Sequence, residues 1–407
     1  MINRKNKKAA FLLLTTVLAA ACSQACSVTR HNAVPPGLET RAEISGFTGA
    51  IRYYPRDLRD LALFEQDFLD SLMREKAYLD TQENHGTLPP AAYLAISGGG
   101  DNGAFGAGFL NGWTKSGTRP SFKLVTGVST GALIAPFAFL GPSYDDKLKE
   151  LYTTISGRDV ASKRTILSAL FKDARSDNEP LWNLVKKHIT QDMLAAIAAE
   201  HAKGRILLIG TANLDALRPV IWNLTKIAAS GNPRALELVH TLLIASAAIP
   251  GEFPPVMVDV NINDKKYQEM HVDGGAVAQV FIYPPAMRLG ELSKEHAIER
   301  QRTLYIIRNA RLDPEWAQVE RRTLPIALRA ISSLVEYQGI GDLYRIYTTA
   351  RRDGVGYNLA FIPETFNTPH TTDFDTAYMR QLFDFGHRLA EEGYPWHKEP
   401  PVLFRGN

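Results

Sequence analysis

Three short motifs in fixed order hold the residues best suited to chemistry. They are Gly98-Gly99-Gly100-Asp101-Asn102-Gly103, then Gly127-Val128-Ser129-Thr130-Gly131, then Asp273-Gly274-Gly275. Cleavage of an acyl ester needs a nucleophile, a base, and donors aimed at the developing oxyanion. Gly-x-Ser-x-Gly supplies a serine on a sharp strand-to-helix turn, with glycines leaving room for the neighbouring segments. LVTGV precedes Ser129 as a strand, and Thr130-Gly131-Ala132-Leu133 opens a helix whose free amides and dipole face the serine. The Gly98–Gly103 run offers backbone amides unobstructed by side chains. Asp273 offers a carboxylate at a strand end, where glycines let the chain turn away. An exposed aspartate with a pKa of about 3.9 is a poor acceptor for a serine proton. Burial and a hydrogen bond to Ser129 are therefore required of Asp273.

Other chemistry fits less well. Gly98–Gly103 also matches Gly-x-Gly-x-x-Gly after a strand, the turn that holds a dinucleotide pyrophosphate. Such a site expects an acidic residue at the end of the second strand, and this chain has Thr126-Gly127-Val128-Ser129 there. Histidine is the usual base for a serine. His271 lies two residues before Asp273, while His296, His370, His387 and His397 follow it, none in a recognisable catalytic context. No His-Glu-x-x-His and no calcium-loop spacing occurs, so neither a metal nor another cofactor is expected.

These residues need elements to carry them. Ala91–Ser97, Phe122–Val128 and Arg205–Thr211 are short apolar runs suited to buried parallel strands. Further strands are expected at Pro219–Asn223, Pro255–Val260, Tyr267–Val272, Thr303–Ile307 and Tyr357–Ile362. Helices are expected at Arg56–Gln82, Gly103–Lys115, Gly131–Leu140, Arg234–Ile249 and Asp373–Glu392. The alternation predicts an α/β fold, a mostly parallel central sheet sandwiched between helices. Asp145–Lys203 carries helical signals only and is expected to cap the site.

The first residues have the layout of an export signal. Arg4, Lys5, Lys7 and Lys8 precede an apolar run from Ala9 to Ala21, too short to span a bilayer. Leu18-Ala19-Ala20-Ala21-Cys22 resembles a bacterial lipobox, which makes Cys22 the expected site of a thioether lipid. Ala19-x-Ala21 equally suits plain cleavage, which would leave a Cys22–Cys26 bridge open. Residues 1–21 thus read as a signal peptide, 22–50 as a tether and 51–89 as a helical extension. Removing four basic residues and no acid leaves 42 basic against 43 acidic residues, so the net charge of +3 is no footprint of nucleic-acid binding. The expected location is the periplasm or the outer membrane, with the membrane surface reached through the anchor.

Taken together, the motifs resemble the patatin-like phospholipase family. Ser246-Ala247-Ala248-Ile249-Pro250 with Phe253-Pro254-Pro255, and Thr211-Ala212-Asn213-Leu214 with Val220-Ile221-Trp222-Asn223, are similar to that family's motifs too. The resemblance covers residues 90–290 within a catalytic region of 90–407. It implies a three-layer α/β/α fold and a Ser129–Asp273 dyad without histidine. Gly98, Gly99, Gly100, Asp101, Asn102 and Gly103 would form the oxyanion hole, helped by the Thr130 amide. Gly127, Val128, Thr130 and Gly131 would form the elbow, and Gly274 and Gly275 the aspartate turn. The substrates implied are lipid acyl esters. Many members carry Arg or Lys where this chain has Asn102, which weakens the expectation of an anionic headgroup at the loop. The runner-up readings are a dinucleotide-binding protein and a catalytically inert surface lipoprotein.

Overall fold

The computed structural model describes residues 30–401 except 31, 48, 84–86, 161, 164–175, 315 and 371. The export signal, Cys22 and Cys26 lie outside the described residues. Nine strands form the main sheet: β1 Arg52–Tyr53, β2 Ala91–Ile96, β3 Phe122–Val128, β4 Ile206–Asn213, β5 Arg218–Asn223, β6 Val256–Ile262, β7 Lys265–Asp273, β8 Arg302–Arg308 and β9 Gly356–Phe361. Their order is β1-β5-β4-β3-β2-β8-β9, with β7 also paired to β4 and β6 paired to β7. Strands β4, β3, β2, β8 and β9 run parallel; β1, β5, β6 and β7 join by antiparallel pairing.

The central strands are buried on both faces, which their uninterrupted apolar runs require. Side chains alternate between two cores, as the period of two dictates. Ala92, Leu94 and Ile96 of β2 face one core, and Ala91, Tyr93 and Ala95 face the other. The first core is covered by α2 Gly103–Lys115, α3 Thr130–Leu140, α7 Ala235–Ser246 and α9 Thr376–Glu391. The second is covered by α1 Leu58–Thr81 and the carboxyl half of α8 Thr323–Arg352, through Phe64, Phe68, Leu343 and Ile346. The result is the expected α/β/α sandwich.

Between α3 and β4 lies a mostly helical insertion that includes α4 Asp145–Thr154, α5 Glu179–His188 and α6 Gln191–Ala202. A two-residue ladder, Ser162–Lys163 with Ser176–Asp177, joins those helices. Residues 32–50, expected as a tether, lie against the domain instead. Ala33 and Glu43 bridge to Gln268 and Asn261 of the β6–β7 hairpin, and Val34, Ala42 and Ile44 are buried. Val34 stands apart and Ala42 with Ile44 make a single i, i+2 pair, too short a run to read as a helix or strand.

Candidate active site

Register alone brings Ser129 and Asp273 together. On one edge of β4, strand β3 pairs as far as Val128 opposite Gly210. The same ladder resumes with β7, arriving from the other direction, with Asp273 opposite Thr211. The two chains therefore meet head to head. β3 turns away at Ser129 where β7 turns away at Asp273.

Ser129 sits at the amino end of α3 with φ 56° and ψ −128°, a left-handed conformation that only surrounding packing sustains in a non-glycine residue. Its amide donates to the Ser246 hydroxyl at 3.0 Å, and that hydroxyl donates to the Gly210 carbonyl at 2.7 Å. Ser246, fully buried at the end of α7, thus pins the elbow to β4. Gly131 is obligatory, because a Cβ there would fall 2.4 Å from the Ile96 carbonyl oxygen.

Asp273 is 5% exposed. Its amide donates to the Ala248 carbonyl at 2.9 Å, and its carboxylate accepts from the Gly275 amide at 2.7 Å. Burial pushes the carboxyl up to about 7, against the opposing pull of hydrogen bonds from Ser129 and the Gly275 amide. A carboxylate tuned near neutrality is matched to accepting a serine proton.

The glycine loop follows β2. Amides of Gly99, Gly100, Asp101 and Thr130 have no hydrogen-bond acceptor among the described residues. Gly100, Ser129 and Thr130 line one cleft, so unpaired donors stand beside the serine. Asn309, just beyond β8, fixes the loop from behind. Its side chain donates to the Ser97 carbonyl at 2.9 Å and accepts from the Gly106 amide at 3.0 Å. Its carbonyl leaves no room for a Cβ on Gly99, which would sit 2.1 Å away. Gln279 joins loop to aspartate turn, accepting from the Gly98 amide at 3.0 Å and donating to the Gly275 carbonyl at 3.1 Å.

Asp101 and Asn102 depart from expectation in one respect. Their side chains engage the carboxyl-terminal segment. The Asp101 carboxylate pairs with His370 at 2.7 Å and accepts from the Phe374 amide at 2.7 Å. Asn102 accepts from the Tyr378 hydroxyl at 2.6 Å, and the His370 and Tyr378 rings stack at 4.4 Å. The Asn102 amide is also engaged, donating to the Gly99 carbonyl at 3.1 Å.

His271 is closed to proton transfer from Ser129. Its Nδ1 contacts the Thr211 hydroxyl at 2.9 Å and its Nε2 contacts Glu269 at 3.1 Å. Burial holds its pKa below the usual value, although Glu269 pulls the other way. His387 pairs with Glu391 on α9, and His397 bonds to Leu359 of β9 through its backbone. His296 ends a short helix at Leu289–Glu295. His188, which sequence reasoning passed over, lines the serine cleft from α5, with its pKa lowered chiefly by burial.

The cleft encloses about 710 Å³ of empty space, part of it open to solvent. Leu133 and Phe137 of α3, Leu151 of α4, Leu184 and Val185 of α5, and Phe253 give it apolar walls. The mostly helical insertion therefore walls the site as expected, although a two-residue ladder interrupts the helices that the sequence suggested. Among the described residues no cluster of His, Cys, Asp and Glu could hold a metal.

The sequence model of the patatin-like phospholipases matches residues 94–285. That match spans just under half of the chain. The matched region contains the glycine loop, Ser129 and Asp273. No curated protein sequence matches the chain. Among solved structures it is similar to VipD from Legionella pneumophila, at 12% identity over 75% of this chain and 67% of that one, TM-score 0.32. It is also similar to ExoU of Pseudomonas aeruginosa, solved with SpcU, at 14% identity, 75% and 52% coverage and TM-score 0.30. Human GIVD cytosolic phospholipase A2 matches at 10% identity, 72% and 50% coverage and TM-score 0.31. The chain spans about half the length of the last two.

Proposed function

We propose that the chain is a serine acyl hydrolase of lipid esters, working through Ser129 and Asp273. One observation carries the reading. A strained serine and a buried carboxyl poised near neutrality meet at the head of an apolar cleft.

The Asp273 carboxylate accepts the Ser129 hydroxyl proton as Oγ attacks the ester carbonyl carbon. The carbonyl oxygen becomes an oxyanion stabilised by amides of the glycine loop and of Thr130. One such donor is worth about 3 kcal/mol in a dry site. Collapse breaks the ester bond, and the leaving alcohol takes the proton from Asp273. Water, deprotonated by the same carboxylate, then attacks the acyl-Ser129 carbonyl, and the acyl–Oγ bond breaks as Asp273 returns the proton to Ser129 Oγ, releasing the fatty acid. The acyl chain lies along Leu133, Phe137 and Val185 throughout. Each methylene buried there contributes about 0.8 kcal/mol.

That increment sets the test. With p-nitrophenyl esters, kcat/KM should rise by about fourfold per added methylene until the cleft is full. Leu184→Trp should end the rise at a shorter chain and leave the acetate rate unchanged. A chain-length profile flat from acetate to decanoate would contradict the reading. Export and anchoring at Cys22 belong to the same proposal. Labelled palmitate should mark the protein and fail to mark Cys22→Ala, whereas an unlabelled wild type would favour simple secretion.

A further inference from the structure

The amino-terminal half of α8 carries its amphipathic pattern the wrong way round for a surface helix. Arg329, Ser332, Ser333 and Glu336 recur at helical spacing and, with Tyr337 and Ile340 at the far end, line a groove shared with Asn102 and Arg311. Glu336 reaches inward to the buried guanidinium of Arg308 at 2.6 Å. The opposite side of the same turns holds Ala327, Ala330, Ile331 and Leu334, all exposed. Leu334 is 71% exposed and Ile331 53%. Trp316, ahead of the helix, is 87% exposed, and Tyr337 is 71% exposed. A helix on a soluble surface turns its apolar stripe inward. An apolar surface presented outward on this scale marks a docking face.

Its place in the fold ties it to the site. The groove beneath it includes Asn102 of the glycine loop. Leu217, 83% exposed at the β4–β5 turn, projects from the same carboxyl end of the parallel strands. Ile249, on the rim of the serine cleft, is also exposed.

We propose that this face docks on an anionic phospholipid bilayer, with α8 lying in the interface plane and the serine cleft opening beside it. The choice of a bilayer rests on the lipid-hydrolase reading and on three features of the patch. Exposed aliphatic side chains on one helix face would enter the acyl boundary, while Trp316 and Tyr337 offer rings suited to the headgroup zone. Charge completes the match. At the head of the helix Arg321 and Arg322 stand against Glu320, which pairs with Arg322, while Glu336 is held by Arg308 and Arg329 lies on the groove side.

Trp316 supplies its own probe. The full chain carrying Ser129→Ala would be mixed with vesicles of brominated phosphatidylcholine and phosphatidylglycerol, and tryptophan quenching compared with that of Trp316→Phe in the same background. Trp113 and Trp222 are buried, and any anchor at the amino terminus acts alike in every variant. Quenching that depends on Trp316 should be present, and Ile331→Glu with Leu334→Glu should abolish it. Arg321→Gln and Arg322→Gln should each weaken vesicle binding about fivefold. With Ser129 intact, the glutamate pair should hydrolyse p-nitrophenyl acetate at the wild-type rate while losing vesicle lipid hydrolysis. Trp316 left unquenched on bound vesicles would overturn the proposal. So would a dimer that the glutamate pair dissociates, which would assign the face to a second copy. Quenching through Trp316 without any ester hydrolysis by wild type would sink the hydrolase reading and uphold the docking face.

Discussion

Ser129→Ala should lower ester hydrolysis by about 10⁴-fold or more, the loss typical of a nucleophile acting as part of a unit. Little else should change. Alanine keeps a Cβ at φ 56°, so the strain of the elbow persists, and the Ser129 amide still donates to Ser246. The apolar cleft and the unpaired amides remain, which leaves substrate binding intact. The loss should therefore appear in kcat with KM nearly unmoved. Steady-state kinetics on p-nitrophenyl decanoate separate the two. A variant retaining a tenth of wild-type activity would place the nucleophile elsewhere.

Asp273→Asn should reduce kcat by about 10²–10⁴-fold, the usual worth of a general base. Its pH behaviour is more diagnostic. The wild-type carboxyl, raised by burial to about 7, holds its proton below that pH and cannot accept another. Activity should therefore climb as pH rises towards 7 and then level off, and the step should vanish in the variant. Stability should move the opposite way. A raised carboxyl pKa means that the native state keeps a proton which the unfolded chain releases above about pH 4. Ionising buried Asp273 thus costs stability progressively between about pH 4 and 7, on the order of 4 kcal/mol once complete. Asparagine carries no such cost and can still accept from the Gly275 amide. At pH 8 the variant should unfold at higher denaturant concentration than wild type, and at pH 4 the difference should disappear. Activity that survives Asp273→Asn but falls in His188→Ala would move the base to α5.

Much of this arrangement was legible before any coordinates. Central strands advertise themselves through runs such as AAYLAIS, and the observed β2, Ala91–Ile96, stops one residue short of it. Ser129 was legible because its motif straddles a strand and a helix. From its own neighbours Asp273 was legible only as a strand-end turn aspartate, and its partnership with Ser129 came from the family resemblance. What gives it chemistry is the ladder that brings β7 to the edge of β4, a long-range pairing that no local pattern encodes. Gln279 and Asn309 were invisible for the same reason, since they hold the Gly98 amide and the Ser97 carbonyl from far away in sequence, and Ser246 was legible only as part of a small-residue motif. Helix α8 escaped notice because the apolar residues of its amino half, such as Ile331 and Leu334, and those of its carboxyl half, Leu343 and Ile346, do not fall on one continuous stripe. The same irregularity made residues 32–50 read as a tether.

The most direct test of the Ser129–Asp273 pairing is the rate of covalent labelling by a fluorophosphonate, followed by mass spectrometry across pH 5–9. The account predicts one adduct, on the peptide containing Ser129, forming faster as pH rises to about 7. It also predicts that Asp273→Asn labels far more slowly at every pH. An adduct on another residue, or undiminished labelling of Asp273→Asn, would contradict it.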